Sequence, residues 1–267
     1  MSARVVAFAN VKGGCAKTLS STSTAAAFAE RGLKVCVIDL DPQHGVSTVL
    51  GIAVDPNRTI GEAILGQVTL AEIAVETPWG FSVIPATRNL NLAAAMLTGN
   101  RMIQWQTVLR ELIEEAGDTF EIVILDTPPG GDGTLISLGI NAADDLVIVA
   151  VPDLAPMEHA KETLDLAGLA KGPRGFNRDL NVVGCLRTMA QPLTKAYRNS
   201  TALAEALGVP ILPIEIPYST TARDAALDLQ PILTYAPTNA VSTAYRALAG
   251  FLLGESVEAT EIVEAVA

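Results

Sequence analysis

The sequence predicts a single α/β domain in which one mostly parallel, twisted sheet is flanked by helices on both faces, and three observations carry that expectation. Apolar residues make up 49% of the chain and aromatics only 4%, a composition that suits buried parallel strands covered by alanine-rich helices. Short apolar runs recur along the sequence, separated mostly by stretches with helical patterning. The first run leads into a glycine-containing loop, a helix and a second strand, which is a βαβ unit with a right-handed crossover and parallel strands. A chain of 267 residues fits one such domain. We assign it to residues 1–254, followed by an acidic tail over 255–267.

Taken in order, Val5 to Ala9 reads as the first strand, Thr18 to Arg31 as the first helix with Gly32 as its C-terminal cap, and Val35 to Leu40 as the second strand. Two Thr-x-x-Glu capping boxes, Thr59 to Glu62 and Thr69 to Glu72, mark short helices. Further strands are expected at Ser82 to Pro85, Ile122 to Leu125, Leu146 to Val151, Val182 to Leu186 and Ile211 to Ile214. No interdomain linker or internal repeat interrupts them. The closing stretch places Glu255, Glu258, Glu261 and Glu264 among small apolar residues, and its end is expected to fray.

Composition excludes several chemistries. Cys15, Cys36 and Cys185 are widely spaced and read as reduced thiols, while His44 and His159 are the only histidines, which disfavours zinc sites, disulfide frameworks and a Ser-His-Asp triad. No apolar run reaches the roughly 18 residues of a membrane span, and no basic leader precedes the first strand, so a cytoplasmic protein is expected. The formal charge of −11 counts against nucleic-acid binding. Its distribution is uneven, because residues 161–223 hold eight basic residues against five acidic ones.

The chemistry lies in three motifs. In K-G-G-C-A-K-T, Lys12 to Thr18, Gly13 and Gly14 let the backbone aim successive N–H groups at an anion, and the following helix adds the positive end of its dipole. Lys17 is placed to reach β- and γ-phosphates, and Thr18 to ligate a bridging Mg²⁺. The common pattern G-x-x-x-x-G-K-[ST] is not met, since Ala16 stands where its second glycine would be; the match is to the deviant form K-G-G-x-x-[KR]-[ST], distinguished by Lys12. Cys15 reads as a small loop residue. In V-I-D-L-D-P-Q, Val37 to Gln43, two carboxylates emerge at the carboxyl end of a strand, and Asp41 is the candidate for orienting a hydrolytic water. Asp39 reads equally as a turn cap. In I-V-I-L-D-T-P-P-G, Asp126 ends an apolar strand before a Pro-Pro-Gly turn, as a Walker B acid does, and is expected to serve Mg²⁺.

With these motifs in that order, the sequence resembles the ParA/MinD family of deviant Walker A ATPases. The shorter ParA proteins are closest. The likeness extends to T-I-G-E-A-I-L-G from Thr59, V-I-P-A-T-R-N-L from Val83, Y-S-T-T-A-R-D-A from Tyr218 and P-I-L-T-Y-A-P from Pro231. The resemblance implies an ATP- and Mg²⁺-dependent ATP hydrolase that sandwiches two ATP molecules in a homodimer, Lys12 of each chain reaching the other's phosphates. It further implies non-specific duplex DNA binding by the ATP form, hence nucleoid association, and stimulation of hydrolysis by a ParB-like or cargo-adaptor partner. Plasmid, chromosome or protein cargo is positioned by that cycle.

Carried over by position, Lys12, Lys17 and Asp41 are the catalytic candidates, and the phosphate contacts run through Lys12, Gly13, Gly14, Cys15, Ala16, Lys17, Thr18 and Leu19. Pro217 and Ser219 fall near adenine and ribose, Ser219 standing where the family often has asparagine. Family arginines expected on DNA fall on Leu193 and Tyr218, leaving Lys195, Arg198 and Arg223 as substitutes. A MinD-like membrane-associated ATPase is the alternative. It needs a C-terminal amphipathic helix with basic residues, and this tail carries four glutamates and neither lysine nor arginine.

Overall fold

The computed structural model describes residues 3–130 and 133–256. Among these residues eight strands form one sheet: β1 (Arg4–Ala9), β2 (Val35–Asp39), β3 (Val75–Glu76), β4 (Phe81–Ile84), β5 (Ile122–Asp126), β6 (Asp145–Ala150), β7 (Asn181–Ala190) and β8 (Ile211–Pro217). Between β1 and β5 lie helices α1 (Lys17–Ala29), α2 (Gly45–Val49), α3 (Ile60–Ile64), α4 (Leu70–Ile73), α5 (Asn89–Gly99) and α6 (Val108–Glu115). Then come α7 (Thr134–Ala142), α8 (Leu154–Lys171), α9 (Lys195–Leu207), α10 (Thr220–Leu227), α11 (Ile232–Tyr235) and α12 (Ala240–Leu252).

The strand order is β3-β4-β2-β5-β1-β6-β7-β8. Every pairing is parallel except that of β3 with β4. Because successive strand residues face opposite sides, each central strand feeds two cores. Val5, Ala7 and Ala9 pack into one cluster with residues of α3 and α5 to α9, whereas Val6 and Phe8 join another with residues of α1, α11 and α12. The helix-on-both-faces expectation therefore holds.

All seven expected strands are present. β3 was not anticipated; at two residues it is too short to show a period. β7 and β8 run to Ala190 and Pro217, beyond the apolar runs that marked them, because their outer halves carry polar residues. The helix foreseen to Arg31 ends at Ala29, with Gly32 at φ 80° in the turn that follows. Thr69 and Glu72 make the full reciprocal capping box. Thr59 does not: its side chain accepts from Gly61 N at 3.3 Å while donating to the Glu62 carboxylate, so the Thr59 to Glu62 box is incomplete. At the far end Arg31 holds Glu255 through two hydrogen bonds, the longer of 3.0 Å. The expected fraying of the tail concerns residues 257–267, outside the described residues.

Candidate nucleotide-binding site

Parallel strands deliver the loops at their carboxyl ends to one edge of the sheet. β1 and β5 are neighbours, as are β2 and β5, with Phe8 and Asp39 each opposite Asp126. The K-G-G-C-A-K-T loop thus sits beside both acidic motifs.

The loop is held open from within. Asn10, fully buried, donates to Val149 O at 2.8 Å and accepts from Lys12 N at 2.9 Å, which fixes the turn leaving β1. Gly14 at φ 77° and Ala16 at φ 61° are both left-handed. That is ordinary for glycine and costs alanine on the order of 1–2 kcal/mol, so the loop stores strain where it enters α1. The result is a run of backbone N–H groups, from Gly13 through Leu19, that find no acceptor among the described residues; the first helical bond is Ser20 N to Ala16 O at 2.9 Å. A row of unpaired donors at a helix N-terminus is suited to cradle an anion.

The lysines differ sharply. Lys17 is only 7% exposed, and its ammonium donates to the carbonyls of Asn10 and Lys12 at 3.0 and 2.9 Å, filling the mouth of the cradle. Burial lowers its pKa, opposed by the Asp126 charge. Lys12 is exposed and has no carboxylate partner among the described residues. One lysine faces its own loop and the other faces outward.

The carboxylates differ likewise. Asp126 is buried and accepts from Thr18 Oγ1 at 2.7 Å and from Ser21 Oγ at 3.0 Å. Asp39, also buried, accepts from Asp41 N at 2.9 Å and Val46 N at 3.1 Å. Burial raises the pKa of both, and for Asp39 the Asp126 charge adds to the shift. The Lys17 charge opposes the shift at Asp126 and is the nearby cation of this pair. Asp39 thus shapes the turn that presents Asp41, as the alternative reading of it allowed. Asp41 is half-exposed, and one of its oxygens accepts from Gln43 N at 2.9 Å while the other has no donor among the described residues.

Beside the loop lies a cavity of about 410 Å³ walled by Ala16, Leu19, Met189, Pro217, Ser219 and Tyr245, among others. Pro217 and Ser219, marked from sequence, therefore share one cavity with the end of the phosphate loop. Cys15 is buried, its pKa raised by that burial, in keeping with a packed loop residue. Of the basic residues between 161 and 223, Lys161 pairs with Asp165, Arg187 with Glu215, and Lys171 and Arg178 donate to backbone carbonyls. Lys195, Arg198 and Arg223 are exposed and without ion pairs among the described residues. Lys195 and Arg198 open α9, whereas Arg223 lies on α10 against the 410 Å³ cavity. Leu193 and Tyr218 are 92% and 54% exposed. Sequence reasoning missed Asn10, Ser21 and Thr188, whose roles lie in the buried atoms they satisfy and leave no local pattern.

A family profile described as an AAA domain matches residues 3–170. The chromosome-partitioning ATPase Soj of Thermus thermophilus is 32% identical, over 96% of this chain and 98% of that protein. Among solved structures, cobyrinic acid a,c-diamide synthase from Mycobacterium smegmatis with bound ATP analog and magnesium superposes with a TM-score of 0.79 at 28% identity, covering 94% of each chain. An aspartate-to-alanine variant of Cyanothece McdA in complex with ATP gives 0.82 at 22% identity, over 96% and 98% of the two chains, a likeness of fold. Among the described residues no helix is long and apolar enough to cross a membrane.

Proposed function

The chain belongs to the ParA/MinD family of P-loop ATPases, and from that premise we propose that it is a nucleotide-driven switch: a homodimer closed over Mg²⁺-ATP that holds duplex DNA and is reset by hydrolysis. The observation that carries this reading is the row of N–H groups from Gly13 to Leu19 without acceptors among the described residues, with Lys17 buried at its mouth. That cradle fits a triphosphate, and the Thr18 hydroxyl beside the buried Asp126 carboxylate fits the hard oxygen-ligand set of Mg²⁺. When bound there, Mg²⁺ offsets negative charge on the phosphates and on the carboxylates beneath them.

The remaining work falls to the chain. Lys17 turns from its loop carbonyls to the phosphates of its own subunit, and Ser21 keeps Asp126 oriented. Asp41, at the rim, aligns the attacking water through its free oxygen. Lys12 reaches across to the partner's phosphates, which makes hydrolysis depend on dimerisation. A ParB-like or cargo-adaptor protein is the proposed stimulus, and plasmid, chromosome or protein cargo the proposed load. The site of action is the cytoplasm, on the nucleoid in the ATP form.

DNA binding is tested by salt. Dimerisation juxtaposes two copies of the Lys195 and Arg198 turn and of Arg223, and linking two weak patches raises their joint affinity. Each phosphate contact releases roughly 0.9 counterion on B-DNA, so affinity for arbitrary duplex is expected to fall steeply between low and moderate salt, to be high with ATP and low with ADP, and to drop severely in Lys195→Glu and Arg223→Glu. Anionic vesicles provide the contrast with a MinD-like membrane ATPase. ATP-loaded protein that ignores duplex at low salt, or that binds vesicles instead, removes the DNA reading and leaves the ATPase.

A further inference from the structure

The outer end of β7 is irregular in a way the ATP site alone does not explain. Arg187 and Ala190 lie opposite Glu215 and Pro217 of β8, so β7 carries an extra residue over that interval, a bulge of the kind that re-aims side chains near functional sites. Met189, inside the bulge, has φ 52° and lines the cavity beside the phosphate loop. For a residue with a Cβ that left-handed conformation is unfavourable, and the surrounding structure must impose it.

The two residues before Met189 tie this bulge to different parts of the molecule. Thr188 is fully buried and its hydroxyl donates to the Cys15 carbonyl of the phosphate loop at 3.0 Å. Arg187 engages α9: its guanidinium lies 4.4 Å from the centre of the Tyr197 ring, donates to Thr201 Oγ1 at 2.8 Å and pairs with Glu215. Glu215 also accepts from Tyr197 Oη at 2.7 Å. The Arg187 Nε is buried without a partner among the described residues, so the cluster is one hydrogen bond short of satisfied, a state that persists only where something else holds it. Adjacent strand residues project oppositely, which lets one short segment grip the loop with one side chain and α9 with the next.

We propose that Thr188 is a positioning residue for the phosphate loop, and that the bulged end of β7, acting through Arg187 and Tyr197, couples that loop to the start of α9, where Lys195 and Arg198 lie. Filling the cradle fixes the peptide units of the loop, the Cys15 carbonyl among them, and Thr188 passes that constraint to the bulge. Arg187 then shifts the balance of α9 positions. The consequence for DNA rests on the function proposed above, whereas the coupling does not.

The test uses the full chain, Mg²⁺ and a non-hydrolysable ATP analogue, with analogue affinity, binding of an arbitrary duplex at low salt and amide hydrogen exchange over residues 195–207 as readouts. Thr188→Val is expected to weaken analogue binding by roughly tenfold, the scale of one buried hydrogen bond, and Thr188→Ser to restore it. Tyr197→Leu, which removes both the ring under Arg187 and the hydroxyl on Glu215, is expected to bind the analogue as the unaltered protein does but to lose most of the analogue-induced change in α9 exchange. The coupling is overturned by an α9 that exchanges alike with and without the analogue in the unaltered protein, or by a full response in Tyr197→Leu. The role of Thr188 is overturned if serine fails to rescue. DNA binding absent throughout, with the exchange response intact, sinks the DNA reading and leaves the coupling standing.

Discussion

Lys12→Ala is expected to retain ATP binding while losing ATP-dependent dimerisation, and to hydrolyse ATP about 10³- to 10⁵-fold more slowly, the range observed when a positive group acting across a phosphoryl-transfer site is removed. The reasoning follows from the contrast between the two loop lysines. Lys17 is buried against Asn10 and Lys12 carbonyls and serves its own cradle, so Lys17→Ala should cost nucleotide affinity directly. Lys12 contributes its backbone to the loop, through Lys12 N to Asn10 Oδ1 at 2.9 Å and the carbonyl that accepts from Lys17. Alanine preserves both backbone contacts. Only the outward ammonium is lost, and in this account its target lies on the partner chain. Titration with ATP separates the two lysines: equal losses of affinity in Lys12→Ala and Lys17→Ala would contradict the division of roles.

The second large effect is at Asp41. Asp41→Ala should bind ATP and dimerise but hydrolyse it about 10²- to 10⁴-fold more slowly in a single turnover, because phosphate contacts survive while the group aligning the water is gone. Its turn-capping bond to Gln43 N, 2.9 Å long, complicates alanine. Asp41→Asn resolves this, since an amide oxygen can still accept from Gln43 N but is a far weaker partner for the water. Hydrolysis in Asp41→Asn near the unaltered rate would return Asp41 to a turn cap.

How much of this was legible in the sequence follows from burial. Strands covered on both faces read as continuous apolar runs, which is why β1, β2, β5 and β6 were found nearly residue for residue. β7 and β8 were cut short because Arg187, Thr188 and Glu215 interrupt the pattern, and these polar residues pair across strands or with the loop. Such pairing joins positions far apart in the chain and leaves no local period. The phosphate loop was legible because its spacing serves a fixed geometry. Asn10 and Ser21 were not, since their roles lie in which buried atom each one satisfies. Asp39 reads as cap or site from sequence, and only its two backbone donors, Asp41 N and Val46 N, distinguish the cap.

Most of the account depends on ATP, rather than ADP, bringing two chains together. The direct measurement is the solution mass of the Asp41→Ala variant, which should hold ATP uncleaved, by sedimentation or light scattering with Mg²⁺ and ATP, with Mg²⁺ and ADP, and without nucleotide. We expect the mass of one chain, 27.9 kDa, without nucleotide and with ADP, and twice that mass with ATP. A mass that stays the same in all three states, with ATP binding verified in the same samples, would contradict the switch.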